Sequence, residues 1–310
     1  MKIAIMGSGG VGGYFGARLA AAGEDVTFIA RGAHLEAIRG GGLKVTSARG
    51  DLHIGDAKAT DDGADIGPVD LVLFAVKLWD TEQAATSIRP LIGPETAVVS
   101  LQNGVDAEAT IAAILGPAHV MGGVARIAAV IAAPGVIRHT GHMAEIFFGE
   151  LDGARSPRAE RFLATLQGAG IDTMLADDIT KAIWEKFVIL SAFSGASSVT
   201  RQTIGPIRDD PETRAFFTSL MAETAAVAGA AGIALDDDQV ERTMALADGL
   251  PPEMTSSMAE DLERGNRLEL PWLSGTVVRM GRDQGVPTPS HDFVQMALKL
   301  HERGRDATGS

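Results

Sequence analysis

Short apolar runs and helical patterns alternate along the first half of the chain. Lys2–Met6 is an apolar run that ends at glycines, and Val11, Phe15 and Leu19 then recur at helical spacing. Further apolar runs of strand length follow at Val26–Ala30, Val69–Val76, Ala97–Leu101 and His119–Val124. This alternation predicts right-handed crossovers and a mostly parallel sheet that is covered by helices on both faces.

Two segments of the first half depart from this rhythm. Leu43–Ile54 and Val136–Phe148 each have the pattern of a strand pair separated by a turn, and we expect antiparallel additions to the sheet there. After about Asp177 helical periodicity dominates, at Ile183–Phe193, Glu212–Ala231, Asp238–Ala247 and Met258–Gln284. The sequence therefore predicts an α/β domain over residues 1–176 and an all-helical domain over residues 177–310. The polar residues 303–310 are expected to be frayed.

Composition and charge exclude several classes of protein. Of the 310 residues, none is cysteine, which excludes a disulfide framework, a thiolate metal site and a cysteine nucleophile. The formal net charge of −13 disfavours a general role on nucleic acid or anionic membranes. We find no apolar stretch of membrane-spanning length and no leader peptide, and we expect a cytoplasmic protein.

A glycine-rich loop follows the first predicted strand. Gly7-Ser8-Gly9-Gly10-Val11-Gly12 matches the dinucleotide fingerprint and also opens the first predicted helix. Gly7 allows the tight turn, Gly9 lets a pyrophosphate approach the backbone, and Gly12 lets the helix pack closely on the strand. The helix amino terminus supplies N–H groups for the phosphates. The alternative, a tight turn without a ligand, fits this context less well.

The residue that follows the second predicted strand indicates which dinucleotide binds. NAD-dependent proteins place an acid there to accept from the ribose hydroxyls, whereas this chain has Arg31 and no acid close by in sequence. An arginine is suited to a 2′-phosphate, so the pattern favours NADP(H). The alternative is a solvated arginine at the start of a loop.

Two further strand ends carry polar residues. Val76 leads into Lys77, and Leu101 leads into Gln102, Asn103 and Gly104. Ligands of open parallel sheets bind beyond the carboxyl ends of the strands, so Lys77 and Asn103 are placed to face the nicotinamide end. A solvated lysine and ordinary turn chemistry explain the same residues equally well.

The helical domain contributes three candidates. Lys186 lies within an apolar helical pattern, so it either extends to solvent or is a buried functional ammonium. Ser257 begins a capping box at the start of the last long predicted helix. Glu269 stands between leucines, which suggests that its carboxylate is buried with a partner.

Together these motifs resemble the ketopantoate reductases (2-dehydropantoate 2-reductases) in order and spacing, from residue 1 to about 301. The resemblance implies a Rossmann-type domain followed by a helical domain, and NADPH-dependent reduction of a 2-keto acid to a 2-hydroxy acid. It implies that Lys186 is the catalytic lysine, which stabilises the developing alkoxide and donates a proton. It further implies that Glu269 positions this lysine and the substrate, that Ser257 binds substrate, and that Asn103 and Lys77 contact the nicotinamide and the ketone.

The helix face that carries Lys186 departs from the family pattern. Well-studied members carry asparagines four and eight residues after the lysine, and the resemblance implies that these two positions face the substrate. This chain has Leu190 and Ser194 there. Leu190 forms no side-chain hydrogen bond, so the substitution is expected to change substrate choice. Three alternatives to 2-dehydropantoate reduction remain: a more apolar 2-keto acid, a non-catalytic NADP(H)-binding redox sensor, and a related dehydrogenase that runs in the oxidative direction.

The remaining polar clusters predict no further chemistry. His139 and His142 lack the carboxylate pattern of a metal site, and the acidic run at residues 236–238 is expected to cap a helix. We therefore expect no metal. A small-molecule 2-keto acid is the expected partner, and the apolar helical domain is compatible with a homodimer.

Overall fold

The computed structural model describes residues 1–305, so the end of the predicted frayed terminus, residues 306–310, lies outside the described residues. The chain divides into two compact units, Met1–Ala182 and Ile183–Ser310. The division falls inside a helix, Ile179–Thr200. The last strand of the first unit ends at Leu175, just before the position where the sequence pattern becomes helical.

The first unit combines one sheet with five α-helices. Its strands are β1 Lys2–Met6, β2 Asp25–Ile29, β3 Leu43–Thr46, β4 Leu52–Ile54, β5 Lys58–Thr60, β6 Leu71–Phe74, β7 Ala97–Ser100, β8 Val120–Ala133, β9 Val136–Glu150 and β10 Asp172–Leu175. Its helices are α1 Gly10–Ala21, α2 Gly32–Gly41, α3 Thr81–Ser87, α4 Ala107–Leu115 and α5 Pro157–Gly168.

The sheet is parallel at its centre and mixed at one side. The strand order is β4-β3-β9-β8-β7-β6-β1-β2-β5, and β10 pairs with β9. All pairs from β8 through β7, β6, β1 and β2 to β5 are parallel. The predicted antiparallel pair within Leu43–Ile54 is confirmed, because β3 and β4 pair antiparallel.

The prediction of a strand pair within Val136–Phe148 is wrong. This segment is one continuous strand, β9, which pairs antiparallel with β8. The register shifts where Ile127 faces Ala144 and Ala128 faces Thr140, so the intervening residues form a bulge on β9. Gly141 lies in this bulge at φ 77°, and its turn-like signal in the sequence comes from the bulge rather than from a chain reversal.

Both faces of the sheet are buried beneath helices. Ile3, Ala4 and Ile5 of β1 are all fully buried, yet Ile3 and Ile5 belong to one apolar cluster and Ala4 to another. Successive strand residues point to opposite faces, so each cluster is the core on one side of the sheet. The predicted α/β class with helices on both faces is confirmed.

All regular secondary structure in the described part of the second unit, residues 183–305, is helical. Its helices are α6 Ile179–Thr200, which begins in the first unit, α7 Ile204–Asp209, α8 Pro211–Ala230, α9 Gln239–Asp248, α10 Ser257–Arg264, α11 Ser274–Gln284 and α12 Pro289–Leu298. Within residues 1–305, no helix is long and apolar enough to cross a membrane.

The helical pattern from Met258 to Gln284 does not form one helix. The chain leaves α10 at Gly265, which adopts the left-handed conformation at φ 75°, and Pro271 lies in a short 3-10 helix before α11 begins. Glycine ends a helix readily because it has no Cβ, and proline lacks the N–H that helix continuation needs. This interruption places Glu269 in a turn rather than on a helix face.

Candidate active site

The glycine loop joins β1 to α1 through close backbone contacts. Gly7 has φ 93°, and a Cβ at this position would lie 2.8 Å from the backbone of Ala75, which follows β6. A Cβ at Gly12 would lie 2.3 Å from the carbonyl oxygen of Gly7. These residues therefore hold the tight turn and the close approach of helix to strand.

Gly9 and Gly10 differ in what surrounds them. A Cβ at Gly9 would meet no protein atom within 4 Å, whereas a Cβ at Gly10 would lie 2.0 Å from the carbonyl oxygen of Ala129 on β8. Gly9 is the N-cap of α1, and no side chain caps it. Open space beside uncapped N–H groups fits the pyrophosphate of a dinucleotide, while Gly10 is required by packing against β8.

Arg31 lies two residues after the end of β2 and has an ion-pair partner. Its side chain is 70% exposed, and its Nη2 donates to Oδ2 of Asp80 at 2.8 Å. Asp80 lies beyond the end of β6, so this acid is close to Arg31 in space but remote from it in the sequence. An exposed pair of this kind contributes little to stability, and the guanidinium keeps further N–H donors for a phosphate.

Lys77 and Asn103 follow β6 and β7, which are neighbours in the sheet. Lys77 is exposed, with its Nζ 5.5 Å from the ring centre of Trp79, and Asn103 is half-buried. The buried amide of Gln102 links the two strand ends by donating to the carbonyl oxygen of Val76 at 3.0 Å and to Thr81 at 2.9 Å. The sheet thus gathers the glycine loop, Arg31, Lys77 and Asn103 at the carboxyl ends of adjacent strands.

In the second unit, α6 carries Lys186, Leu190 and Ser194. Lys186 and Leu190 are half-buried, and Ser194 is fully buried. The Oγ atom of Ser194 has no hydrogen-bond partner among the described residues. At helical spacing of four residues these three side chains share one side of α6. This side combines a cation, an apolar contact and an unsatisfied hydroxyl.

The N-cap of α10 is Ser256, and the capping role expected of Ser257 is therefore wrong. The Oγ atom of Ser256 accepts from the backbone N–H of Ala259 at 3.1 Å, while Ser257 is exposed. Ser256 also forms a 2.7 Å hydrogen bond with Ser197 of α6. Because two serines are adjacent, the sequence alone does not show which of them is the N-cap of α10. The hydrogen bond with Ser197 favours burial of Ser256. Ser257 is consequently available for a ligand.

Glu269 is buried, with 6% of its surface exposed, as its apolar sequence neighbours predict. Its backbone carbonyl accepts from Trp272 at 3.0 Å and from Leu273 at 3.1 Å, which holds the turn that precedes α11. A carboxylate buried in an apolar turn requires polar partners to compensate for its lost hydration, which makes Glu269 a candidate functional group.

A buried hydrogen-bond network fixes α11 relative to α6. Ser274 at the start of α11 contacts Nδ1 of His291 at 3.1 Å, Nε2 of His291 contacts Thr224 at 2.9 Å, and Thr224 contacts Ser191 of α6 at 3.0 Å. Burial lowers the pKa of His291 from 6.5 to about 4, which keeps the imidazole neutral. The network sets the spacing between the helix that carries Lys186 and the segment that follows Glu269.

The other polar clusters have structural partners. His139 is buried and contacts Ser47 at 2.8 Å and the carbonyl oxygen of Met143 at 3.0 Å. Asp238 occupies the N-cap position of α9 without a capping hydrogen bond, and it pairs with Arg242 at 3.2 Å instead. Within residues 1–305 no three histidine, aspartate or glutamate side chains are grouped as a metal site would require.

The fold and the glycine loop are those of a dinucleotide-binding protein. Family models match both halves of the chain: Ketopantoate reductase PanE/ApbA over residues 3–153, and Ketopantoate reductase PanE/ApbA C terminal over residues 178–302. The chain belongs to the ketopantoate reductase family, as its motifs predict. It is an oxidoreductase acting on a CH–OH group, and the family supports a 2-keto acid as the substrate.

Relatives and solved structures agree with this assignment. The 2-dehydropantoate 2-reductase of Mesorhizobium japonicum is 34% identical, with 95% of each chain covered. The crystal structure of a PanE/ApbA family ketopantoate reductase from Ralstonia eutropha is 33% identical, with a TM-score of 0.89 and coverage of 97% of this chain and 98% of that chain. A D-mandelate dehydrogenase solved with NADH and anilino(oxo)acetate shares the fold at 22% identity, with a TM-score of 0.89 and coverage of 97% and 98%.

Proposed function

We propose that this chain reduces 2-dehydropantoate to pantoate with NADPH. The observation that carries the proposal is the placement of Lys186 and Glu269. They lie half-buried and buried, respectively, in a helical unit that matches the ketopantoate reductase C-terminal model. A sensor that only binds a dinucleotide needs neither an ammonium nor a buried carboxylate of this kind.

The first unit binds the cofactor in this proposal. The backbone at Gly7, Ser8, Gly9, Gly10, Val11 and Gly12 holds the pyrophosphate at the amino terminus of α1. Arg31, whose exposed guanidinium has further donors, binds the 2′-phosphate that distinguishes NADPH from NADH. Lys77 and Asn103, at the ends of neighbouring strands, contact the nicotinamide side.

The second unit supplies the acid. When bound, NADPH would supply the hydride that adds to C2 of the keto acid. The ammonium of Lys186 donates a proton to the carbonyl oxygen as that oxygen becomes an alkoxide, so the 2-hydroxy acid leaves uncharged at this position. The carboxylate of Glu269 restrains the orientation of Lys186 and of the substrate. Ser257 and Ser194 provide hydroxyl groups for the substrate.

Leu190 favours a second candidate, a more apolar 2-keto acid. It is half-buried on the side of α6 that carries Lys186, where an asparagine would offer an amide to a substrate hydroxyl. A leucine there favours an aliphatic or aromatic group at the same point of the substrate. The mechanism at C2 is the same for either substrate.

The test follows NADPH absorbance with 2-dehydropantoate and with branched and aromatic 2-keto acids, each repeated with NADH. We expect 2-dehydropantoate to be the best substrate and NADPH the better cofactor. Turnover of an apolar keto acid alone would establish the second candidate. Tight NADPH binding without turnover of any compound would establish a sensor.

The variant Leu190→Asn tests whether this position determines the choice of substrate. The added amide is expected to shift relative kcat/KM toward 2-dehydropantoate by about tenfold, because one more hydrogen bond is available to its hydroxyl group. Ile189→Val, one position along α6, is the matched control and is expected to leave the ratio of substrates unchanged.

We further infer a homodimer formed through the second unit. Phe293, Met296 and Leu300 are 45%, 70% and 90% exposed along one side of α12 and the turn after it, which is unusual for apolar side chains of this size. Light scattering is expected to give twice the chain mass of 32.3 kDa. A monomer at micromolar concentration would contradict this.

A further inference from the structure

The imidazole of His34 lies between the glycine loop and the turn that joins β8 to β9. His34 is the third residue of α2 and is half-buried. Its Nε2 lies 2.8 Å from the carbonyl oxygen of Ser8, and its Nδ1 accepts from the backbone N–H of Gly135 at 3.0 Å. One ring therefore contacts two backbone segments that lie far apart in sequence.

The two partners determine which tautomer is present. The carbonyl oxygen of Ser8 only accepts hydrogen bonds, so Nε2 carries the hydrogen and donates it. The N–H of Gly135 only donates, so Nδ1 has its lone pair free to accept. The tautomer with its hydrogen on Nε2 therefore satisfies both contacts.

The contact with His34 completes the fixation of Ser8. On the other side, the backbone N–H and the Oγ atom of Ser8 both donate to the carbonyl oxygen of Ile29, at 3.2 and 3.0 Å. In a planar trans peptide, fixing the carbonyl of Ser8 also fixes the direction of the N–H of Gly9. That N–H belongs to the residue whose open side we assign to the pyrophosphate.

On the Nδ1 side of the ring, Gly135 connects His34 to the sheet. Gly135 adopts φ 75°, and its carbonyl oxygen accepts from the backbone N–H of Lys44 on β3 at 2.9 Å. Nearby, Gly10 packs directly on the backbone of Ala129 in β8. The β8–β9 hairpin thus holds the glycine loop at two points, one steric and one through His34.

We infer that His34 is a positioning residue for the dinucleotide: its Nε2–H orients the Ser8–Gly9 peptide for the pyrophosphate, and its Nδ1 ties that peptide to the β8–β9 turn. His34 acts through Ser8 rather than on the cofactor. The inference rests on the assignment of the glycine loop as the pyrophosphate site, and it does not depend on whether NADPH or NADH is preferred.

The test compares three variants that remove the two contacts separately. His34→Ala removes both, His34→Gln places an amide donor near the position of Nε2, and His34→Asn places an amide acceptor near that of Nδ1. The control is His53→Ala, because the exposed His53 makes a similar 2.9 Å contact with the carbonyl oxygen of Gly41 at the other end of α2. For each protein, NADPH Kd, KM, kcat and Tm are measured.

We expect His34→Ala to raise the NADPH Kd and KM about fivefold, since one hydrogen bond contributes about 1 kcal/mol, with kcat at saturating NADPH changed less than about twofold. His34→Gln is expected to restore most of the affinity. His34→Asn is expected to restore Tm but not affinity, and His53→Ala is expected to bind NADPH as the wild type does.

Unchanged NADPH affinity in His34→Ala would overturn the inference, as would equal affinity losses in the Gln and Ala variants. An equal loss in His53→Ala would show that α2 stability, rather than loop geometry, determines binding. Binding of NADH but not NADPH by the wild type contradicts the proposed cofactor only. The His34 comparison then proceeds with NADH, which has the same pyrophosphate.

Discussion

The two units carry their candidate functional groups in different ways. In the first unit the candidate site is formed by the backbone of a short loop. A Cβ at Gly7, Gly10 or Gly12 of that loop would collide with neighbouring atoms, whereas Gly9 faces open space. In the second unit the candidate groups are side chains on α6, on α10 and in the turn before α11, and hydrogen bonds between residues distant in sequence hold these elements together. Backbone sites are encoded locally, whereas side-chain sites depend on how helices pack.

The largest expected effect is on catalysis by the second unit. Lys186→Ala is expected to lower kcat about 10³-fold, because both the proton donor and the charge that stabilises the alkoxide are lost. NADPH affinity is expected to stay within about twofold if the two units divide binding and catalysis as described. The measurement is steady-state kinetics beside fluorescence titration of NADPH.

Lys181→Ala is the matched control for this variant, since Lys181 also lies on α6 but within the first unit. Near-normal turnover in Lys186→Ala would remove the lysine from the mechanism. An equal loss in Lys181→Ala would attribute the effect to α6 as a whole.

Two glycines of the glycine loop are expected to differ in role, Gly10 in packing and Gly9 in ligand binding. Gly10→Ala is expected to lower the free energy of unfolding by about 3 kcal/mol, because its Cβ collides with the backbone of β8. Gly9→Ala has open space and is expected to keep stability within about 0.5 kcal/mol while raising the NADPH Kd more than about tenfold. Urea unfolding and NADPH titration of both variants test this. Equal effects of the two variants on either quantity would contradict it.

The buried network of the second unit predicts a pH dependence of stability. His291 is neutral in the folded chain down to about pH 4 but takes up a proton below about pH 6.5 when unfolded. The unfolded state therefore binds more protons between these values, and stability present above pH 6.5 is lost as the pH falls toward 4, by about 3 kcal/mol in total.

Urea unfolding across this pH range measures the effect. The polar groups that contact the ring are Thr224, Ser274 and the carbonyl oxygen of Leu220, and the carboxylate of Glu223 accepts from the N–H groups of Ser290 and His291. His291→Gln removes the titrating ring and is expected to flatten the slope. An unchanged slope in this variant would assign the pH dependence to other groups.

The smallest expected effect concerns cofactor choice. Arg31→Ala is expected to raise the Kd for NADPH by about tenfold and to leave that for NADH unchanged, because only NADPH has the 2′-phosphate. Asp80→Asn releases the guanidinium from its ion pair and is expected to tighten NADPH binding about twofold. Equal weakening of both cofactors by Arg31→Ala would show that Arg31 does not contact the 2′-phosphate.

Features that depend on neighbouring residues could be predicted from the sequence. β1, the glycine loop and the burial of Glu269 are of this kind, and each is found as expected. Features that depend on distant residues could not: the continuity of β9 depends on pairing with β8, and the choice of Ser256 over Ser257 as N-cap depends on Ser197. The partners of Arg31 and His34 are of the same kind, since they lie on other elements.

The contact between Gly10 and Ala129 limits how the cofactor loop can be exchanged between proteins. A loop transplanted from another dinucleotide-binding protein with a larger residue at this position would displace the backbone of β8, whatever its affinity for the cofactor. The loop and the hairpin beside it therefore have to be exchanged together unless the incoming loop also has glycine at this position. A chimera that replaces both together is expected to fold, whereas one that replaces the loop alone requires glycine at position 10.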